Sequence, residues 1–226
     1  GAEATTYYGI PSIEGYDPLY IGRYGEFLRS AGEGKYSEAE RSVAKLARDG
    51  RYTNRVLDLL GVTLIFHPIA DTDQGWAYPV WSDKKRHTVV YRDDKFELYK
   101  NNQALPRVSL FYNFEVRKDG KDVLKRLFSD DFDFRKTLLL EEDPSLMPKE
   151  GEGNAQIMSY NPNTILIGVE TTEPALIFLT DNFYPGWRVL VNGQKEKIYR
   201  ADYTFRAVKV PAGESNVEFT YAGWNL

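Results

Sequence analysis

An aspartate pair one residue apart, Asp71-Thr72-Asp73, has the spacing in this chain that most resembles a metal site. Two carboxylates so placed can converge on one hard divalent cation, and Mg²⁺ or Mn²⁺ held this way grips the diphosphate of a nucleotide-sugar donor. That reaction needs an alternating α/β sheet to carry the nucleotide, and the sequence around Asp71 and Asp73 offers no such alternation. As a calcium loop the stretch fails at its twelfth position, which is Ser82 where a bidentate glutamate belongs. Asp71 and Asp73 are weak metal candidates, and a solvated loop is their expected role.

Ser42-Val43-Ala44-Lys45 matches the S-x-x-K spacing of serine acylases, but the companion S-D-N and K-T-G motifs are absent. The acids Asp130, Asp131, Asp133, Glu141, Glu142 and Asp143 include residue types that serve a glycosidase. Such a pair must face each other across a cleft at fixed separation, and acids in runs beside loop residues are ordinarily solvated faces. His67 and His87 stand apart, with no obvious partner. No catalytic set is visible.

Aromatic residues are the stronger signal. In D-N-F-Y-P-G-W-R-V-L-V-N-G, residues 181–193, Phe183, Tyr184 and Trp187 crowd a Pro-Gly step. Sugars stack their C–H faces on such rings. Trp187, however, alternates with Val189 and Val191, so those three share one apolar face and should line a core. Tyr184, just before the turn, is the ring expected to face solvent.

These residues need a scaffold, and composition limits its kind. The 226 residues are 42% hydrophobic and 27% charged, so a globular chain with a sizeable core is expected. A net charge of −4 argues against a nucleic-acid partner. With no cysteine there is neither thiolate chemistry nor a disulfide. No apolar run approaches the roughly eighteen residues of a membrane span. The chain begins Gly-Ala-Glu, so Gly1 reads as a residue left by cloning and the whole as a piece of a longer protein.

Asp17-Pro18 opens a helix carrying Tyr20, Tyr24, Phe27 and Leu28. Ser37 and Glu40 form a capping box ahead of a charged helix with Val43, Leu46 and Ala47 inward. A short helix at T-N-R-V-L-D-L-L stops at Gly61, and V-T-L-I-F then reads as a buried strand. Strands follow at T-V-V-Y, F-E-L-Y and R-V-S-L-F-Y-N-F-E-V, then a helix at K-D-V-L-K-R-L-F and a strand at T-L-L-L. Residues 141–154, acidic with Pro and Gly, read as a linker. Beyond them short strands recur, two joined by Asn192-Gly193, a strong hairpin signal. The expected fold is α+β. A mixed region, 1–150, precedes an antiparallel β-sandwich, 151–226, jelly-roll-like or immunoglobulin-like and completed by strands from 88–116.

The tail from L-T-D-N-F-Y-P-G-W-R through V-E-F-T-Y, residues 179–221, resembles the C-terminal extracytoplasmic segment of YfhO-type bacterial multi-spanning membrane proteins. Those are relatives of the polyprenyl-phosphate-dependent glycosyltransferases of GT-C fold. G-Y-D-P-L-Y-I-G-R-Y at 15–24, R-V-L-D-L-L-G-V at 55–62 and N-Q-A-L-P-R-V-S-L-F-Y at 102–112 resemble the same family in the same order. The resemblance implies a domain on the extracytoplasmic face of the bacterial cell membrane, continuous with a multi-pass parent. It also implies that the parent moves a sugar from a polyprenyl-phosphate donor to a cell-envelope acceptor. The family's catalytic acid lies in a region this chain lacks, so no catalytic residue carries over and no cofactor is expected within it.

The expected role is accessory: binding a cell-envelope glycan or a polyol-phosphate polymer beside the parent's membrane domain. Tyr184, Tyr203 and Trp224 are the expected stacking rings, and Arg188, Arg200 and Arg206 the expected contacts for anionic groups. Plain surface ion pairs are the competing reading of those arginines. Two other function classes stand beside this one: an independent metal-dependent carbohydrate-active enzyme, and a purely structural docking domain.

Overall fold

Helix ends and strand registers in a computed structural model, which describes residues 10–16, 20–69 and 83–223, decide most of these expectations. The chain divides into two units, residues 1–106 and 107–226.

The first unit holds β1 (Gly15–Tyr16), α1 (Gly22–Ser30), β2 (Val43–Ala44), α2 (Thr53–Leu59), β3 (Leu64–Pro68), β4 (His87–Arg92) and β5 (Phe96–Asn101). Helix α1 buries Phe27 and Leu28 as its spacing predicts, but it starts at Gly22 without a side-chain cap. The Asp17-Pro18 start lies outside the described residues. Helix α2 ends at Gly61 in a Schellman motif: the Val62 N–H donates to the Leu57 carbonyl and the Gly61 N–H to that of Asp58.

The helix expected after Ser37 does not form. Glu40 pairs with Arg29 instead of capping, Ser42 adopts φ +63°, and Val43–Ala44 pairs antiparallel with Gly15–Tyr16. A capping box is a local preference worth about 1 kcal/mol, which distant partners override. The V-T-L-I-F strand also departs from expectation. In the antiparallel order β3-β5-β4 it buries His67, while Leu64 and Phe66 face outward.

The second unit holds β6 (Val108–Phe111), β7 (Asn113–Val116), α3 (Gly120–Leu127), β8 (Thr137–Leu140), β9 (Gly153–Asn161), β10 (Thr164–Thr171), β11 (Ala175–Asn182), β12 (Trp187–Val191), β13 (Gln194–Glu196), β14 (Ile198–Ala201), β15 (Phe205–Val210) and β16 (Gly213–Tyr221). They form two sheets, β13-β12-β16-β10-β9 and β6-β11-β15-β14-β8-β7. The fold class is α+β with a β-sandwich. Ile165, Ile167, Val189, Val217 and Phe219 from the first sheet pack with Ile177, Leu179, Val208 and Val210 from the second. Alternation sends Leu176, Phe178 and Phe205 to the far face of the six-stranded sheet, where they are equally buried. Phe178 meets Phe111 and Phe205 edge-on there, at 5.7 and 5.3 Å. Burial on both faces explains why A-L-I-F-L reads as a continuous apolar run.

Strands β7 and β8 pair in parallel, unlike the other pairs among the described residues. A parallel pair needs a crossover, and α3 supplies it. Asp119 caps α3 by accepting from the N–H groups of Lys121 and Asp122, and Val123, Leu124 and Leu127 are buried.

Residues 107–150, grouped on sequence with the first region, hydrogen-bond into the C-terminal sheet: β6 pairs with β11 and β8 with β14. Within the 88–116 stretch only the part from Val108 onward does so; β4 and β5 stay in the first unit. Residues 141–154 are tied to the second unit. Glu142 pairs with Lys197 at 2.5 Å, Lys149 pairs with Glu173 at 2.5 Å, and the Lys209 ammonium donates to the Pro144 carbonyl.

Candidate functional site

The Pro185-Gly186 turn between β11 and β12 needs glycine for two reasons. Gly186 sits at φ +95°, and a Cβ there would lie 2.8 Å from the Tyr221 ring. Pro then Gly is the pairing a type II turn selects. Its carbonyl accepts the Ala222 N–H at 3.0 Å, and the Phe183 N–H donates to the Thr204 carbonyl at 2.6 Å, so both ends of the turn are held. This fixes Tyr184, 38% exposed, with its ring centroid 6.3 Å from that of Tyr221. Trp187 lies half-buried, 5.5 Å from the same Tyr221 and packed on the core, as its alternation with Val189 and Val191 predicts.

The hairpin at Asn192-Gly193 brings the cations. Both residues have positive φ, +52° and +78°, which sets Leu190 opposite Lys195 and Val189 opposite Glu196. Arg188 and Lys195 consequently project from the outer face of the sheet, both exposed. Neither has an ion-pair partner among the described residues. A cleft of about 280 Å³ opens between turn and hairpin, lined by Phe183, Tyr184, Trp187, Arg188, Lys195 and Glu196 among others. One exposed ring beside two open cations can stack on a sugar and hold an anionic substituent.

Of the six residues expected to meet a ligand, Tyr184 and Arg188 line this cleft. Arg200 lies behind it, its guanidinium 4.2 Å from the Phe183 ring centroid and 3.5 Å from Glu141. Tyr203 and Arg206 are buried, and their outward roles are corrected here. Tyr203 sits in the β14–β15 turn at φ +78° with its ring inside. Arg206 is 2% exposed because β15 is buried on both faces, which strand alternation cannot foresee. Trp224 falls outside the described residues, as do Asp71 and Asp73.

Arg206 anchors the sandwich beneath the cleft. It donates to Asp181 at 2.7 Å, and the same carboxylate takes Arg107 at 2.8 Å and the Tyr160 hydroxyl at 3.0 Å. Burial lowers the Arg206 pKa, against the pull of Asp181. Burial likewise raises that of Tyr160, with the Asp181 charge adding to it.

The acids weighed as a glycosidase set are committed elsewhere. Asp131 pairs with Arg126 at 2.8 Å, Glu141 lies near Arg200, and Asp143 accepts the Ser145 N–H at 2.7 Å. A hollow of about 390 Å³ in the first unit takes in Arg29, Glu40 and Arg48. There Arg29 pairs with Glu40, and Arg48 with Glu14 at 2.6 Å, which leaves those cations already neutralised. No group of three or more metal-ligating side chains occurs among the described residues.

Lys195 and Glu196 were legible in principle, since a two-residue Asn-Gly turn dictates that 195 faces 190. Asp181 as the hub for Arg206 and Arg107 had no local signal.

Residues 132–226, which contain the whole cleft, match the family described as bacterial membrane protein YfhO. A relative in Bacillus subtilis (strain 168), described as uncharacterized protein YfhO, is 30% identical over 67 residues. That alignment covers 30% of this chain and 8% of the relative's length. No solved structure matches. The upstream stretches at 15–24, 55–62 and 102–112 lie outside the family match. Through its C-terminal segment, residues 132–226, this chain is similar to the YfhO family.

Proposed function

We propose that this chain is an extracytoplasmic part of a multi-pass bacterial membrane protein, and that its cleft binds a cell-envelope glycan or polyol-phosphate acceptor. The role is accessory. Transfer of sugar from a polyprenyl-phosphate carrier belongs, in this reading, to the parent's membrane domain. The family's description as a membrane protein supports the setting. No helix among the described residues is long and apolar enough to cross a membrane.

One observation carries the binding role: an exposed tyrosine ring shares a cleft with two exposed cations, all inside the segment that matches the family. Tyrosine offers a flat apolar face with a polar rim, and Arg188 can grip a phosphate through two N–H groups. The test is titration of the chain with neutral oligosaccharides and with glycerol-phosphate oligomers, followed by tryptophan fluorescence in a variant that keeps Trp187 and carries Phe at positions 76, 81 and 224. Saturable binding weakened by Tyr184→Ala supports the reading. Absence of binding to either probe overturns it.

A further inference from the structure

The sheet β3-β5-β4 is built inside out for a protein meeting only water. Its inward face carries His67, His87, Glu97, Tyr99 and Asn101, all buried. Two of these groups are tied down by hydrogen bonds: the Tyr99 hydroxyl donates to Glu97 at 2.5 Å, and the Asn101 amide donates to Asp58 of α2 at 3.0 Å. The register places Phe66 opposite Leu98 and Leu98 opposite Tyr91, with Leu64 one row along opposite Lys100. Phe66 is 61% exposed, Tyr91 55% and Leu64 52%, and Val90, at the bulge beside Tyr91, is also exposed. Among the described residues, Phe66 stacks on Phe96 of the same face, at 4.6 Å. Scattered exposed apolar residues are ordinary, whereas a contiguous face of them marks a contact surface.

The charges around this face identify the partner. Residues 83–102 contain six Lys or Arg against four Asp or Glu, in a chain of net charge −4. Asp58 takes Arg86 and Glu97 takes Arg92. Lys84, Lys85, Lys95 and Lys100 remain exposed without an acidic partner among the described residues. Asp93 is occupied in the β4–β5 turn, accepting from the N–H groups of Lys95 and Phe96 and from the Tyr91 hydroxyl. Aromatic and aliphatic side chains bordered by lysines are what a bilayer interface with anionic head groups attracts.

We propose that the outer face of β3-β5-β4 docks on the surface of an anionic lipid bilayer, with Phe66, Leu64 and Tyr91 entering the interface and the lysines on the head groups. This rests on the membrane setting proposed above and is independent of what the cleft binds. The family matched by residues 132–226 is described as a membrane protein, which favours a bilayer as the partner.

The test is co-sedimentation of the 226-residue chain with vesicles of phosphatidylcholine alone or mixed with phosphatidylglycerol. The expected result is binding at least about tenfold stronger to the anionic vesicles, since each basic residue near such a surface contributes a several-fold gain. Phe66→Ser and Tyr91→Ser, with unchanged circular dichroism, should each weaken it several-fold, while Tyr184→Ala should leave it intact. Vesicle binding without glycan binding would sink the cleft reading alone, and the reverse would sink this one alone. Failure to sediment with either vesicle overturns the proposal. So does a dimer that Phe66→Ser dissociates, which would put a second copy on the face. Binding that emerges only after residues 70–82 are replaced by a Gly-Ser linker assigns the face to that segment, and overturns it too.

Discussion

The Arg206 guanidinium carbon lies 4.3 Å from the centroid of the Trp187 ring, inside the sandwich and on the core side of the cleft. The Phe219 ring is 5.3 Å away, and the Arg206 Nε and Nη1 donors have no hydrogen-bond partner. Aromatic faces thus share with Asp181 the task of holding a buried positive charge.

That arrangement predicts an asymmetry. Asp181→Asn leaves Arg206 buried and uncompensated, and should cost about 3–5 kcal/mol in urea unfolding. Arg206→Met should cost less, about 1–2 kcal/mol, because it fills the same space and Asp181 keeps Arg107 and Tyr160. Equal losses from the two substitutions would show that Arg107 and Tyr160 do not hold the carboxylate.

Asp202 links the β14–β15 turn to β8 through two hydrogen bonds. Its carboxylate accepts the Leu139 N–H at 2.8 Å, and its own N–H donates to the Leu139 carbonyl at 2.8 Å. Burial pushes its carboxyl up from 3.8 to about 7, against the Leu139 N–H. A carboxyl raised on folding binds its proton more tightly in the native state. Its contribution to stability is therefore greatest below the unfolded pKa, declines as pH rises toward 7, and is flat above. The decline should approach about 1.4 kcal/mol per pH unit. Asp202→Asn, which keeps the acceptor oxygen, should remove that slope; an unchanged profile in the variant would assign the slope to other groups.

Gly186→Ala should destabilise by about 1–3 kcal/mol, from its positive φ and from the 2.8 Å approach of a new Cβ to Tyr221. Because Tyr221 touches both Tyr184 and Trp187, the Trp187 emission should shift as well. A loss of stability with unaltered emission would mean that the turn does not set the shape of the cleft.

Tyr184→Ala and Arg188→Ala should each move the unfolding midpoint by less than about 0.5 kcal/mol, since both are exposed. Their effects on binding should divide by ligand. Removing the ring weakens all sugars by about three- to tenfold, as a stacking contact of about 1 kcal/mol implies. Removing the guanidinium weakens only phosphate-bearing probes. Isothermal titration separates the two, and identical losses across neutral and anionic probes would exclude a distinct anion contact.

Local chemistry made several features legible in the sequence. Asn192-Gly193 required a tight hairpin, Pro185-Gly186 a turn that turns Tyr184 outward, and Trp187-x-Val189-x-Val191 an inward face. Asp119 ahead of K-D-V-L-K-R-L-F marked a helix start, and the structure caps it through that residue. Each of these signals works within a few residues, so position in the chain is enough to read it.

Partner identity belonged to the tertiary structure. Phe205–Val210 is buried on both faces, so the sequence pattern could not tell that Arg206 points inward, and the carboxylate that makes this tolerable comes from β11. The helix expected after Ser37 was lost to pairing with Gly15–Tyr16, a contact no local pattern records. V-T-L-I-F was correctly a strand, yet the side exposed to solvent was chosen by what packs beneath it, the polar cluster around Glu97 and Asp58. Turns and periodicities follow from backbone geometry and are set by the sequence alone. Which face is buried, and which charge meets which, depends on strands brought together from distant parts of the chain, so only the fold could decide them.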